Sequence, residues 1–195
     1  MAGTGAALRV GPVLDAPRGG DRDAGGATVT ERNGFAPATA ACGSVNGTPT
    51  LERIKDCLLD AYGYRLVGLV LFGSRARGDG HAGSDYDVWA VIRELDPDLV
   101  ERDDELRRVL FGTRLFGVNV LAQSPEEVER DLRPLHLEIG LDGKVLYDRE
   151  GWVAERLAIL RRRIAEAGLR RERRGGNWTW RWQTQPKRSV WAIHW

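Results

Sequence analysis

Apolar positions along the chain follow helical spacing in some segments and strand-like runs in others. From Thr48 to Gly63 they recur every three to four residues, which predicts an amphipathic helix with Thr48 as its N-cap and Pro49 as its first residue. Short apolar runs bounded by glycine or polar residues predict buried strands. These predicted strands cover residues 66–72, 85–92 and 117–122.

Helical spacing returns at 97–110, where Leu99, Leu106 and Leu110 are expected to face the core. Further helices are predicted from the Ser124 cap onward and over 152–167. A short strand is predicted over 144–147, and the alternation of tryptophan with polar residues over 177–182 predicts a last strand with its indoles on one face, mostly buried. The fold class is therefore α/β, with a short mixed sheet flanked by helices and a C-terminal helix and edge strand.

Composition divides the chain into three parts. Residues 1–47 are rich in Gly, Ala, Thr and Pro without periodicity, and we expect a disordered N-terminal extension because they cannot bury enough apolar surface. Residues 48–150 carry a net charge of −7 and are predicted to form the folded domain. Residues 151–195 form a basic tail of net charge +8, with the last helix and the tryptophan-rich strand. An acidic body and a basic tail suggest two surfaces with different partners.

Several classes of protein are excluded by what the sequence lacks. No apolar stretch approaches the roughly 20 residues of a membrane-spanning helix, and no basic segment precedes the first apolar residues as in a signal peptide. We therefore expect a cytoplasmic protein without a membrane partner. No cluster of cysteine and histidine has the spacing of a zinc site.

The chemistry is concentrated between residues 69 and 92. Glycine at Gly73 allows a ligand to approach the backbone closely after a buried strand, and Ser74 adds a hydroxyl where free amide groups can bind a triphosphate. Asp85 and Asp87 lie two residues apart on a predicted strand, so their carboxylates should point the same way and hold magnesium. Arg75 and Arg77 follow the Gly73-Ser74 turn, and either could neutralise phosphate charge.

The arrangement Gly73-Ser74, ten residues, then Asp85-Tyr86-Asp87 resembles the GS-x10-D-x-D signature of the DNA polymerase β nucleotidyltransferase superfamily. The longer string GSRARG…SDYDVWAVI is similar to the minimal nucleotidyltransferases, small prokaryotic proteins of which many are antitoxins of HEPN-domain toxins. The resemblance implies the nucleotidyltransferase fold, a two-magnesium site on Asp85 and Asp87, and ATP or another nucleoside triphosphate bound at Gly73, Ser74 and Arg75.

The third carboxylate of that family is absent. The matching position on the next strand is Asn119, which can coordinate through its amide oxygen but carries no charge and accepts no proton. The second magnesium is therefore expected to be weakly held, and turnover to be slow. If Asn119 is not the equivalent position, Glu138 is the alternative third acid.

Three functions are compatible with these residues. The first is transfer of a nucleoside monophosphate, AMP by preference, from a triphosphate to a hydroxyl on a partner such as a HEPN-type toxin. The second is a catalytically weak antitoxin-like module that binds the triphosphate and masks its partner. The third is a small-molecule transferase of the antibiotic-modifying kind. Packing on the domain is the preferred explanation of the basic, tryptophan-rich tail. The alternatives are binding of single-stranded nucleic acid and docking of an acidic partner such as a toxin.

Overall fold

A computed structural model describes residues 50–175 and 177–183. The helices are α1 Leu51–Tyr62, α2 Gly73–Arg77, α3 Leu99–Gly112, α4 Pro125–Arg130, α5 Pro134–Asp142 and α6 Trp152–Glu166. The strands are β1 Leu66–Phe72, β2 Tyr86–Ile92, β3 Val118–Gln123, β4 Lys144–Asp148, β5 Leu169–Arg174 and β6 Asn177–Trp182. The predicted α/β class, with a mixed sheet flanked by helices, is confirmed.

Four strands form one mixed sheet in the order β3-β2-β1-β4. β1 pairs antiparallel with β2 and β4, and β2 pairs in parallel with β3. β1 is central and buried along nearly all of its length because helices cover both faces of the sheet. One apolar core contains residues of α1 and α3, and the other contains residues of α4, α5 and α6.

The close packing of α6 on the sheet depends on Gly68. A Cβ atom at Gly68 would lie 2.1 Å from Cγ2 of Val153, so only glycine lets the helix approach β1 this closely. α5 and α6 meet through a second glycine, since a Cβ atom at Gly140 would lie 2.6 Å from Cβ of Leu160. α5 and α6 thereby share one apolar core with the sheet.

Two predictions about the helices are wrong in detail. α1 begins at Leu51, and Thr50 is its N-cap, because the Thr50 side chain accepts a hydrogen bond from the Arg53 amide. Leu99 is 67% exposed rather than buried. The inward position in that part of α3 belongs to Arg102, whose guanidinium is paired with Glu127.

The C-terminal region differs more from the prediction. β6 exists as expected, but it pairs with β5 in a separate two-stranded sheet rather than joining the edge of the main sheet. Trp178 is exposed, against the expectation of buried indoles, whereas Trp180 and Trp182 pack partly against the core beside α6. The predicted extension, residues 1–47, lies outside the described residues. Within the described part of the chain, no helix is long and apolar enough to cross a bilayer.

Candidate active site

The turn between β1 and α2 is built around Gly73. Its φ of +73° is in the left-handed region, and a Cβ atom there would lie 2.2 Å from Oδ2 of Asp87. Glycine therefore allows the start of α2 to sit directly against that carboxylate. The carbonyl oxygen of Ser74 then accepts hydrogen bonds from the amides of Gly78, Asp79 and Gly80, at 3.0, 3.1 and 3.1 Å, which ends α2 and starts the following loop.

Asp85 and Asp87 converge as the sequence predicts. Asp85 directly precedes β2, Asp87 is its second residue, and Asn119 is the register partner of Asp87 on β3. The Asn119 amide nitrogen donates to Oδ2 of Asp85 at 3.4 Å and to Oδ1 of Asp87 at 3.1 Å. One neutral side chain therefore touches both carboxylates, at the position where the family resemblance implies a third acid.

The other flank of the carboxylates is formed by Gly117. Its φ is +73°, its carbonyl oxygen accepts the amide of Tyr86 at 2.9 Å, and a Cβ atom there would lie 3.5 Å from Oδ1 of Asp85. The carboxylate pair therefore lies between Gly73 on the β1 side and Gly117 on the β3 side.

The oxygen atoms at this position fit a magnesium ion in chemistry, because Mg²⁺ is bound by one or two carboxylates and completes its shell with water and phosphate oxygens. Asp85 is exposed and Asp87 half-buried, so water and phosphate can reach both. Among residues 50–175 and 177–183, no three acidic, histidine or cysteine side chains gather as a metal cluster. The candidate ligands here are two acids and the neutral Asn119.

Arg75 lies next to the site but is engaged in holding the loop. Its Nε donates to the carbonyl oxygen of Ser84 at 2.7 Å, and one terminal nitrogen donates to that of Ala82 at 3.3 Å. The guanidinium carbon lies 4.0 Å from the centre of the Tyr86 ring, a cation–π contact. These bonds fix the loop that delivers Asp85 to β2. Phosphate binding by Arg75 remains a prediction.

A buried polar network around Trp89 of β2 was not predicted from the sequence. Oε1 of Gln123, at the end of β3, accepts from Nε1 of Trp89 at 2.9 Å and lies 2.8 Å from Nε2 of His136. Nδ1 of His136 accepts the amide of Arg133 at 3.0 Å, so the ring proton sits on Nε2 and is donated to Gln123. Trp89 is two residues after Asp87 and shares its face of β2, so the network supports the strands that carry the site.

Burial, and after it the positive charge of Arg133, lower the pKa of His136 to about 4, against a weaker opposing effect of Asp131. His136 is therefore neutral at neutral pH, as its hydrogen bonds require. One feature of the sequence could have pointed to this histidine. The segment from Pro134 to Gly140 is apolar except for His136 and Glu138.

A second polar cluster joins the β5–β6 hairpin to the rest of the domain. Arg171 on β5 is paired with Glu138 and Asp142 of α5, and Nε1 of Trp180 donates to Oε1 of Glu138 at 2.6 Å. A terminal nitrogen of Arg77, the last residue of α2, lies 4.0 Å from the same Asp142. Glu138 is therefore committed to the hairpin, which argues against its serving as the third acid.

Residues 51–147 match the sequence profile of a family described as the nucleotidyltransferase domain. This part of the chain belongs to that family. The site described above lies entirely within the matched range, and the predicted enzyme class, a nucleotidyltransferase, is confirmed at the level of the domain.

A curated relative from Methanocaldococcus jannaschii, whose name provisionally describes it as a protein adenylyltransferase, is 27% identical over 95 residues. The match covers 47% of this chain and 65% of that relative, so this chain spans about two thirds of its length.

Solved structures similar in fold include a toxin–antitoxin complex with AMP-PNP, at 17% identity and a TM-score of 0.42, over 60% of this chain and 92% of that one. Another contains an AMPylated HEPN toxin of Shewanella oneidensis with its MNT antitoxin, at 16% identity and a TM-score of 0.39, over 60% and 87%. A protein of Sulfolobus solfataricus, provisionally described as a nucleotidyltransferase, is 23% identical at a TM-score of 0.38, over 51% and 81%.

Proposed function

We propose that this chain is a cytoplasmic, magnesium-dependent transferase that moves AMP from ATP to a hydroxyl group of a partner protein. The observation that carries the proposal is the convergence of Asp85 and Asp87 beside Gly73, with Asn119 touching both carboxylates. A HEPN-type toxin is the proposed partner, in keeping with the resemblance of the signature to minimal nucleotidyltransferases. The name of the M. jannaschii relative supports AMP as the group and protein as the acceptor.

In the proposed reaction the acceptor oxygen forms a bond to the α-phosphorus of ATP, and the bond to the oxygen that bridges to the β-phosphate breaks. Pyrophosphate leaves, and the hydroxyl proton passes to solvent. Asp85 and Asp87 would hold magnesium, which neutralises phosphate charge when bound. Gly73 and Ser74 would contact the triphosphate through the backbone and the hydroxyl, at the turn that glycine keeps open beside Asp87. Arg75 would act mainly by holding the loop before Asp85.

Nucleotide binding is tested first. Replacing Asp85 and Asp87 with alanine is expected to abolish magnesium-dependent ATP binding in calorimetry, because within residues 50–175 and 177–183 these two are the acids hydrogen-bonded to the Asn119 amide. A matched control removes two exposed carboxylates of α1, in Asp56→Ala with Asp60→Ala, which changes the net charge equally and should leave the affinity within twofold. Equal ATP affinity in both double variants would remove the proposal.

A second candidate, a weak enzyme that binds ATP and masks its partner, is favoured by one specific observation. Asn119 is neutral, so the carboxylate pair has no third negative charge to hold a second magnesium or to accept the acceptor's proton, and general-base contributions are typically about 10²–10⁴-fold. We therefore expect slow transfer by the native chain.

Asn119→Asp decides between the two functions. The variant is expected to transfer label from α-labelled ATP to a co-purified partner at least tenfold faster, with ATP affinity changed by less than threefold. Fast transfer by the native chain without a gain in the variant would show that Asn119 is not the missing catalytic position. Absence of transfer by both, with ATP binding intact, would favour the masking function.

A further inference from the structure

Two phenylalanine side chains beside the candidate site are exposed to solvent. Phe111 is 65% exposed and Phe116 61% exposed, and their rings meet edge to face with centroids 6.1 Å apart. The pair forms because α3 ends at Gly112 with Thr113 as its C-cap, and Arg114 then adopts a positive φ of 53°, which turns the chain back and places Leu115 in the core. Large exposed aromatic side chains in contact are unusual on a surface without a partner, and aromatic residues dominate the energetics of protein interfaces.

The position of this phenylalanine pair relative to the carboxylates indicates from which side an acceptor would approach. Phe116 directly precedes Gly117, which flanks Asp85, whereas Gly73 flanks Asp87 from the opposite strand. In an in-line displacement the attacking oxygen and the leaving pyrophosphate lie on opposite sides of the phosphorus. If the triphosphate occupies the Gly73 side, as the proposed function requires, the acceptor approaches from the side of β3 and Phe116.

Charge around the pair indicates what kind of acceptor fits. Arg107, Arg108 and Arg114 are all exposed, and the first two line an open depression on α3 together with Phe111. The acids that line the same depression, Glu101 and Asp104, lie towards the beginning of α3 and away from Gly117. The part nearest the site is therefore aromatic and basic. Such a surface attracts acidic segments and uses its apolar rings as anchors.

We propose that Phe111 and Phe116, with Arg107, Arg108 and Arg114, form the acceptor-docking surface, and that its occupant is an acidic segment of the acceptor protein with apolar side chains next to the modified hydroxyl. This inference rests on the proposed function for the direction of approach. The test measures binding of an acceptor-like peptide without nucleotide. The docking surface and the proposed function can therefore fail separately.

The probe is a fluorescein-labelled peptide in which leucines and glutamates flank one tyrosine, and its counterpart has lysine at each glutamate position. Fluorescence anisotropy at low salt is expected to show binding of the acidic peptide at least tenfold tighter than that of the lysine peptide. Phe111→Ala with Phe116→Ala should weaken binding of the acidic peptide at least tenfold. Leu99→Ala with Val100→Ala is the matched control, because it removes two equally exposed apolar side chains from the opposite end of α3, and it should change binding less than twofold.

Three results would overturn the proposal. The first is no binding of the acidic peptide by the native chain at millimolar concentration, or equal binding of both peptides. The second is a loss of ATP affinity in the phenylalanine variant with peptide binding unchanged, which would make the pair a nucleobase platform. The third is self-association of the native chain that the same variant abolishes, which would make the occupant a second copy. Failure of the Asp85 and Asp87 test with peptide binding intact would remove the proposed function and leave the docking surface standing.

Discussion

Acid should destabilise this protein through one buried side chain, His136. The ring is 1% exposed, and its two nitrogens are both used: Nδ1 accepts the Arg133 amide, and Nε2 bonds to Gln123. A proton on Nδ1 would remove that acceptor and place a charge in the core, close to Arg133. The pKa of His136 is therefore lowered to about 4 by burial and by Arg133, from 6.5 in an unfolded chain.

The direction of the pH dependence follows from which state, folded or unfolded, binds the proton at the higher pH. As the pH falls below about 6.5, the unfolded chain takes up a proton on His136 while the folded protein does not, so the free energy of unfolding decreases. The contribution is complete above that pH and is lost progressively down to about pH 4. A difference of about 2.5 pKa units corresponds to about 3 kcal/mol in total, of which about 2 kcal/mol is lost between pH 8 and pH 5.

Urea unfolding at several pH values between 8 and 5 measures this loss directly. Because carboxylates also titrate towards the acid end, the informative quantity is the difference between the native chain and His136→Gln, which should lack about 2 kcal/mol of the pH dependence. Leu137→Ala, which removes a neighbouring buried side chain that binds no proton, is the control and should keep the native slope. The reasoning is refuted if His136→Gln and the native chain show the same slope, or if NMR shows His136 titrating near pH 6.5 in the folded protein.

Three further predictions concern stability. Gly68→Ala should destabilise the domain by about 1–3 kcal/mol in urea unfolding, because its methyl group would overlap Val153, and adding Val153→Ala should recover part of that loss; no recovery would place the strain elsewhere. Glu127→Ala should cost about 3 kcal/mol in the same assay because it leaves Arg102 buried without its carboxylate, and a cost below about 1 kcal/mol would contradict the pairing. Removing residues 1–47 should leave Tm unchanged in calorimetry, and a clearly lower Tm would show that this segment packs on the domain.

The strands of the main sheet and the common face of the two aspartates could be predicted because local sequence determines them. β1 and β2 are continuous or alternating apolar runs between glycines and polar residues, and such runs are readable without knowledge of their partners. The spacing of Asp85 and Asp87 fixes their common face through strand geometry alone. The contact of Asn119 with both carboxylates follows once β3 pairs in parallel with β2.

The parts that escaped prediction depend on tertiary contacts. β5 has the sequence Leu-Arg-Arg-Glu-Arg-Arg, which shows no strand pattern. It forms a strand because β6 pairs with it and because Arg171 forms an ion pair with Glu138 of α5. Leu99 has helical spacing to Leu106, but it is the first residue of α3 and Arg102 takes the inward place, held by Glu127 and the Asp96 carbonyl oxygen. Periodicity cannot reveal that a buried arginine will be paired.

Charges of the acidic body and the basic tail pair with each other in the folded chain. Two separate surfaces were expected from a net charge of −7 before residue 151 and +8 after it. In the structure, part of the opposite charge is paired within the chain, because Arg171 of the tail forms ion pairs with Glu138 and Asp142 of the body. The same Asp142 faces Arg77 at the end of α2, and the ring of Trp178 lies 5.9 Å from that guanidinium. The basic tail therefore contacts the last residue of the helix that begins at Gly73, through the ring of Trp178 and through the Asp142 that Arg171 and Arg77 share.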